Sequence, residues 1–258
     1  MLFEKISKIY FSPSNTTKKV TDKIAENFEG TYEIYDLLNY AKDGEPREFG
    51  DEDIVIVGMP VFAGRIPDIA RQKLEKFKTK SKTPAIAFVN IGNANTGDSL
   101  LELTDILKNN GFNIVGAAVF VSQHSIFNSV AKGRPDEKDL EKIKEFSEKC
   151  KANIESGEKY NIKVPGNKPY KEYTVVPFKA GCDEMHCIFC YDCVSACPQG
   201  AIPNEDPVET DSEKCDGCTA CIYICPENAR SFINEGFEKA EADFAERFSK
   251  RKEPEFYF

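Results

Sequence analysis

Through residues 1–157 the chain alternates short, continuous apolar runs with longer stretches in which apolar residues recur every three or four positions. The runs Phe3–Ser12, Tyr32–Leu38, Asp53–Met59, Ala85–Ile91 and Asn113–Val121 read as strands. A strand covered on both faces needs no polar alternation, so such runs point to a parallel sheet with helices on either side. Between them fall helical stripes through Val20, Ile24 and Phe28, through Ala70, Leu74 and Phe77, and through Leu100, Leu103 and Leu107. A last stripe holds Leu140, Ile143, Phe146, Cys150 and Ile154, which makes Cys150 a small buried hydrophobe. The pattern predicts an α/β domain, a doubly wound five-stranded parallel sheet.

The periodicity breaks over 158–180, where Pro165, Pro169 and Pro177 mark an extended connector draped over a surface. Residues 181–233 form a cysteine-rich block. In the remaining 234–258, Phe237, Ala240, Phe244 and Phe248 lie on one face of a charged helix predicted to pack back on the domains. Pro254 and the tail EFYF follow it.

Composition sharpens this division. The chain has 258 residues, 10 cysteines and a formal charge of −9. Nine of the cysteines lie in the 181–233 block, along with ten acidic residues set against only Lys214 and Arg230. That block carries almost all the net charge, and the near-neutral remainder offers no broad basic face for nucleic acid. Runs such as IVIVG from Ile54 fall well short of the roughly 20 apolar residues of a membrane span. The N-terminal MLFEKISKIYF has scattered charges and no signal-peptide cleavage pattern. The expectation is a cytoplasmic protein whose reduced thiols serve metal or redox chemistry rather than disulfides.

The cysteines fall into two copies of C-x2-C-x2-C-x3-C-P, Cys187 to Pro198 and Cys215 to Pro226, at a 28-residue offset. Three thiolates two residues apart can wrap one face of a cubane cluster. The next turn of chain carries the fourth cysteine to the other cluster, as in two-cluster ferredoxins. One [4Fe–4S] is thus assigned Cys187, Cys190, Cys193 and Cys225, and the other Cys215, Cys218, Cys221 and Cys197. Structural zinc would leave the third cysteine and the C-x3-C-P tail of each motif unexplained. Cys182 and His186 flank the first motif with all eight ligand positions already filled. The block resembles the bacterial two-[4Fe–4S] ferredoxin domain. That resemblance implies a small α+β, βαββαβ-like pseudo-twofold fold and one-electron transfer. Such domains usually place a small residue between the first two cysteines and a glycine after the second. Here the first motif has Phe189 and Tyr191 and the second Gly217 and Thr219, so the two clusters need not share one potential.

In the N-terminal domain, FSPSNTTKKV follows the first strand, where a doubly wound sheet binds ligands. The helix N-terminus there, with Ser12, Ser14, Thr16 and Thr17, offers uncharged donors to a phosphate monoester. An ordinary Ser/Thr helix cap accounts for the same residues. The segment resembles the flavodoxin phosphate loop, usually T/S-G-T-G-N-T, with Pro13 in place of a glycine. By that resemblance Ser12, Ser14, Asn15, Thr16 and Thr17 hold the phosphate of FMN. Two further loops lie where a flavodoxin holds its ring. The first, MPVFAGRIP, contributes Pro60, Val61, Phe62, Ala63 and Gly64, with Phe62 able to stack on the ring. The second, NIGNANTGDSLLEL, is similar to YGNR-x-Y-DDALLEL and contributes Asn90, Gly92 and Asn93. Ala94 and Thr96 stand where that pattern has arginine and tyrosine. His124, after the fifth strand, is either a flavin neighbour or a hydrogen-bonded loop histidine. No G-x-G-x-x-G follows a strand, and Gly92–Gly97 lacks the Lys-Ser/Thr of a P-loop.

Over almost its full length the chain resembles fused flavodoxin–ferredoxin proteins. The resemblance implies an electron carrier joining FMN to two clusters and serving a partner oxidoreductase, with the acidic block suited to a basic docking surface. A ferredoxin-fed flavin reductase acting on a quinone, nitro compound or disulfide, and a flavin-free docking scaffold, are the other readings of the same residues. The oligomeric state has no signal in the sequence.

Overall fold

The computed structural model describes residues 2–40, 45–46, 48–157 and 161–258. The start of the connector, 158–160, therefore lies outside the described residues. The first domain runs β1 (Leu2–Tyr10), α1 (Thr16–Ala25), β2 (Glu29–Asp36), β3 (Asp53–Pro60), α2 (Asp68–Leu74), β4 (Pro84–Ile91), α3 (Ser99–Asn109), β5 (Asn113–Val121) and α4 (Glu137–Ser156). All five strands expected from the apolar runs are present within a few residues of their expected bounds. They pair in parallel in the order β2-β1-β3-β4-β5. This is the flavodoxin-type order, whose switch point lies between β1 and β3.

The sequence pattern explains the layers. α1 and α4 bury Val20, Ile24, Ile143, Phe146 and Cys150 against one face of the sheet. α2 and α3 bury Ala70, Leu74, Leu100, Leu103 and Leu107 against the other. Because both faces are covered, β3 and β4 are buried along almost their whole length. Cys150 is fully buried, and burial raises its thiol pKa well above the ordinary value, so it is an inert packing group. Asp136 caps α4 in a reciprocal box with Asp139. Asp139 also holds Arg134 through two short contacts of 2.8 and 2.5 Å.

The sheet has a sixth strand. The tail forms β8 (Glu255–Tyr257), antiparallel to β5 through Ala117–Tyr257, Ala118–Phe256 and Val119–Glu255. Without it, β5 would be an open edge with unpaired backbone groups. The alternation in EFYF puts Phe256 against Phe120 and Phe146, with ring centroids 5.9 and 5.1 Å away. The expected five-stranded parallel sheet thus becomes a mixed six-stranded one.

The connector is fastened to the first domain. Asp98 accepts from Asn167 N (2.8 Å), Asn167 Nδ2 (3.2 Å) and Lys171 N (2.7 Å). Arg65, in a two-point pair with Glu102, also donates to Lys171 O. Ile162 is buried in the main core.

The second module runs β6 (Ala180–Cys182), α5 (Asp192–Ala196), α6 (Ala220–Ile224) and β7 (Arg230–Phe232), followed by α7 (Phe237–Arg247). β6 and β7 pair antiparallel and close the module. The inner pair of strands implied by a βαββαβ pattern does not form among the described residues. Pro198, Pro203 and Pro207 lack the N–H groups a ladder needs, and Arg230 takes the carbonyls of Pro207 and Glu209.

Candidate functional site

The two cysteine motifs repeat in conformation as well as in sequence. At the 28-residue offset, Phe189 and Gly217 (φ 54° and 66°), Tyr191 and Thr219 (64° and 77°), and Gly200 and Asn228 (60° and 53°) are all left-handed. These turns fold each C-x2-C-x2-C into a tight loop leading into α5 or α6. Each helix ends at the fourth cysteine in extended backbone. That cysteine's sulfur accepts the N–H four residues on: Ala201 N to Cys197 at 3.2 Å and Ala229 N to Cys225 at 3.3 Å.

Cys197 reaches across to the second motif and lines one cavity with Cys215, Cys218 and Cys221. In the other set, Cys193 is buried, Cys187 and Cys225 are half-buried and Cys190 is exposed. Two thiols of the second set, Cys218 and Cys221, are poorly able to ionise unaided. Burial pushes Cys221 up to about 12 and Cys218 higher still, and the neighbouring cysteines add to both shifts. Bound iron would supply the positive charge that four converging thiolates require, so this donor set fits an iron–sulfur group. Arg230 is a fully buried cation beside it, donating to Pro207 O, to Glu209 O at 3.1 Å and to Thr210 Oγ1 at 2.6 Å. Cys182 sits opposite Arg230 in the strand pair, and burial raises its thiol to about 11. His186 is exposed and bonded to Asp183 at 2.8 Å.

A second cavity lies outside the carboxyl ends of β1, β3, β4 and β5. It is lined by Ser14, Thr16, Pro60, Val61, Phe62, Ala63, Asn90, Gly92 and His124, all expected there from sequence. Ile91, Ser122, Gln123, Ser125, Ile126 and Val176 complete it. α1 begins at Asn15 in left-handed backbone with no side-chain cap, so the first-turn amides of Thr16 and Thr17 have no intrahelical acceptor. Ser12 Oγ faces the helix instead and accepts from Lys18 N at 2.9 Å. Free amides beside the Ser14 and Thr16 hydroxyls fit an anionic phosphate.

Several of the expected residues do other work. Phe62 is 9% exposed and packed into the core, so little of its ring face is free for stacking. Gly64 O accepts from Asp98 N at 2.9 Å. The Asn93 side chain clamps the C-terminal segment, donating to Phe248 O and Lys250 O and accepting from Lys252 N. Gly92 is required by its neighbour, since a Cβ there would lie 2.5 Å from the His124 ring. His124 Nδ1 accepts from Ile126 N and Phe127 N, which leaves its proton on Nε2. Burial lowers its pKa to about 4, so the ring is neutral at physiological pH.

The two cavities share one residue's width of protein. Val176, which lines the cavity over the sheet, also packs on the second cysteine motif: a Cβ on Gly217 would lie 3.2 Å from its Cβ and Cγ1. Cys218 touches the core of the first domain. Tyr223 OH, on α6, donates to Asn128 Oδ1 at 2.8 Å. Around the junction Phe127, Phe178, Phe237 and Phe244 meet at centroid distances of 4.9–5.7 Å. The face Phe237–Phe244 does pack back on both modules, as its periodicity predicts. Val176 carries no sequence signal of its own, because it lies in an aperiodic connector. In the segment SQHSIF after β5, the sequence gives a site role only to His124.

The family model described as "4Fe-4S dicluster domain" matches residues 186–229. A pyruvate synthase subunit PorD from Methanocaldococcus jannaschii is 34% identical over 77 residues, 29% of this chain and 90% of that protein. One subunit of an ion-translocating oxidoreductase complex from Methanosarcina acetivorans is 50% identical over 52 residues, 20% of this chain. The match spans only 19% of that relative's length. Among solved structures, a flavodoxin from the domain Archaea aligns over 58% of this chain and 99% of its own, at 15% identity and a TM-score of 0.41. No helix among the described residues is long and apolar enough to cross a membrane. With its repeated cysteine motifs and 2-1-3-4-5 parallel sheet, the chain belongs to the 4Fe-4S dicluster ferredoxins, here fused to a flavodoxin-like domain, and its role is electron transfer.

Proposed function

We propose that the chain passes electrons between two [4Fe–4S] clusters and an FMN on behalf of a partner oxidoreductase. The observation that carries this reading is Val176, a single side chain lying between the cavity over the sheet and the second cysteine motif. Cys187, Cys190, Cys193 and Cys225 would hold the outer cluster, and Cys197, Cys215, Cys218 and Cys221 the one beside the flavodoxin-like domain. Ser14, Asn15, Thr16 and Thr17 would bind the flavin phosphate. Pro60, Val61, Ala63, Asn90, Gly92 and His124 would border the ring, with His124 Nε2 as a neutral donor. Bound there, FMN supplies two-electron storage that can be filled and emptied one electron at a time, and each cluster carries one electron.

The chain's own groups set the conditions for transfer. The aromatic junction and Val176 pack between the two modules, and the Asp98 clamp holds the connector that positions Val176.

Partner contact is proposed at the first motif. Met185, Ile188, Phe189 and Tyr191 are exposed there, 94%, 60%, 53% and 41%, beside Asp183, Glu184 and Asp192. Such a face suits a partner with an apolar centre and a basic rim. Both curated relatives are named as subunits of larger complexes, which agrees with this arrangement.

The test is anaerobic stopped-flow reduction of the loaded full chain by dithionite, following flavin absorbance. Flavin bleaching should be independent of protein concentration in the parent chain. It should slow at least tenfold in Cys221→Ser, in which the inner site loses a ligand. A Val176→Ala chain with full cofactor content should slow less than Cys221→Ser. Equal flavin bleaching in the parent chain and Cys221→Ser would refute the proposed route.

A further inference from the structure

The residue after the second cysteine of each motif takes the same left-handed turn but points to different chemistry. In the first motif it is Tyr191 (φ 64°), 41% exposed. In the second it is Thr219 (φ 77°), 2% exposed. A β-branched residue is poorly suited to this conformation. Thr219 Oγ1 also finds no hydrogen-bond partner among the described residues. A buried hydroxyl without a partner is a second unfavourable feature. The same side chain lines the cavity shared by Cys197, Cys215, Cys218 and Cys221.

Two unfavourable features at one residue, both directed at a sulfur-lined cavity, have a common explanation. We infer that the Thr219 hydroxyl donates a hydrogen bond to a sulfur of the iron–sulfur group held by Cys197, Cys215, Cys218 and Cys221, and thereby raises that group's reduction potential above its sibling's. The inference rests on the reading that these four cysteines hold a [4Fe–4S] cluster. Reduction adds negative charge to the cluster sulfurs, so a donor aimed at them stabilises the reduced state more than the oxidised one. Tyr191 is exposed and carries its hydroxyl at the far end of a ring, so the equivalent position of the first motif offers no such buried donor. The asymmetry makes the cluster beside Val176 the preferred seat of an electron entering from the exposed first motif.

The experiment is a redox titration of the anaerobically loaded full chain, with each cluster's midpoint read by electron paramagnetic resonance. Thr219→Val keeps the branched shape and removes the hydroxyl. Thr219→Ser keeps the hydroxyl, and Thr219→Gly removes both hydroxyl and backbone strain. The second-motif cluster should become harder to reduce in Thr219→Val by about tenfold in the one-electron equilibrium, about 59 mV. Thr219→Ser should stay close to the parent. Thr219→Gly should lower the potential while raising the urea midpoint of unfolding, a pairing that a purely structural role for Thr219 would not give. Equal shifts in the Val and Ser variants, no shift in either, or a shift confined to the first-motif cluster would overturn the inference. A parent chain without about eight iron and eight sulfide would instead overturn the cluster reading on which it rests.

Discussion

Replacing Asp98 by alanine should release the connector without unfolding the sheet. Asp98 is 3% exposed, and its carboxylate accepts two backbone N–H groups and one side-chain amide from the connector. Lys171 N, the strongest of these donors, holds the carboxyl pKa below the usual aspartate range. Hydrogen bonds to a charged group contribute about 1.5–3 kcal/mol each, but the connector can lift into water once they are gone. The relaxed loss is therefore about 2–4 kcal/mol of docking free energy. At 1.4 kcal/mol per tenfold, the open population of the segment should rise by roughly 30- to 1,000-fold. Amide hydrogen exchange at Asn167 and Lys171 should accelerate by that factor, as should proteolytic cleavage after Lys171. Exchange in β1, β3 and β4 should stay near its parent value. Unchanged exchange at Asn167 and Lys171, or equal acceleration across the sheet, would refute the idea that Asp98 clamps the connector locally. The same clamp has a pH dependence of definite sign. Because the folded-state pKa of Asp98 is lowered, its contribution is complete above about pH 4 and lost only as pH falls through that lower value.

Two further outcomes follow from packing and burial. His124, with its pKa lowered to about 4 by burial, binds fewer protons folded than unfolded between about pH 4 and 6.5. Stability should therefore decline as pH falls through that window, and His124→Gln should flatten this part of the urea-midpoint profile. An unchanged profile would contradict burial of a neutral ring. Phe256→Ala should remove the ring packed on Phe120 and Phe146, lowering stability by about 2 kcal/mol in urea unfolding and leaving the iron content unchanged.

Legibility in the sequence follows the range of the physical cause. β3, β4 and β5 are readable because a strand buried on both faces must be apolar throughout, and the 28-residue cysteine repeat because ligand spacing is local chemistry. The tail strand is not readable as a strand. EFYF has an alternating pattern, but only the open edge of β5, 136 or more residues earlier in the chain, gives it a partner. Asn93 reads as a ring-loop residue, and its amide instead holds the backbone of 248–252, a contact that only tertiary structure creates. Phe62 reads as the stacking aromatic, but the turn closed by its two backbone bonds with Arg65 leaves it in the core. Thr219 is visible as a departure from glycine. Its orphan hydroxyl emerges only once the left-handed backbone and its burial are known.

Val176 lies between the second cysteine motif and the crevice over the β1/β3 switch point, and Cys190 of the first motif is the exposed thiol of the two motifs. The aromatic junction ties the modules together, and the connector is anchored along its path. The central claim is that one chain holds two clusters and a flavin side by side. It is tested most directly by the cofactor content of the full chain purified anaerobically. The account predicts about eight iron, eight sulfide and one FMN released per chain. Eight iron without flavin, or four iron with it, would contradict it.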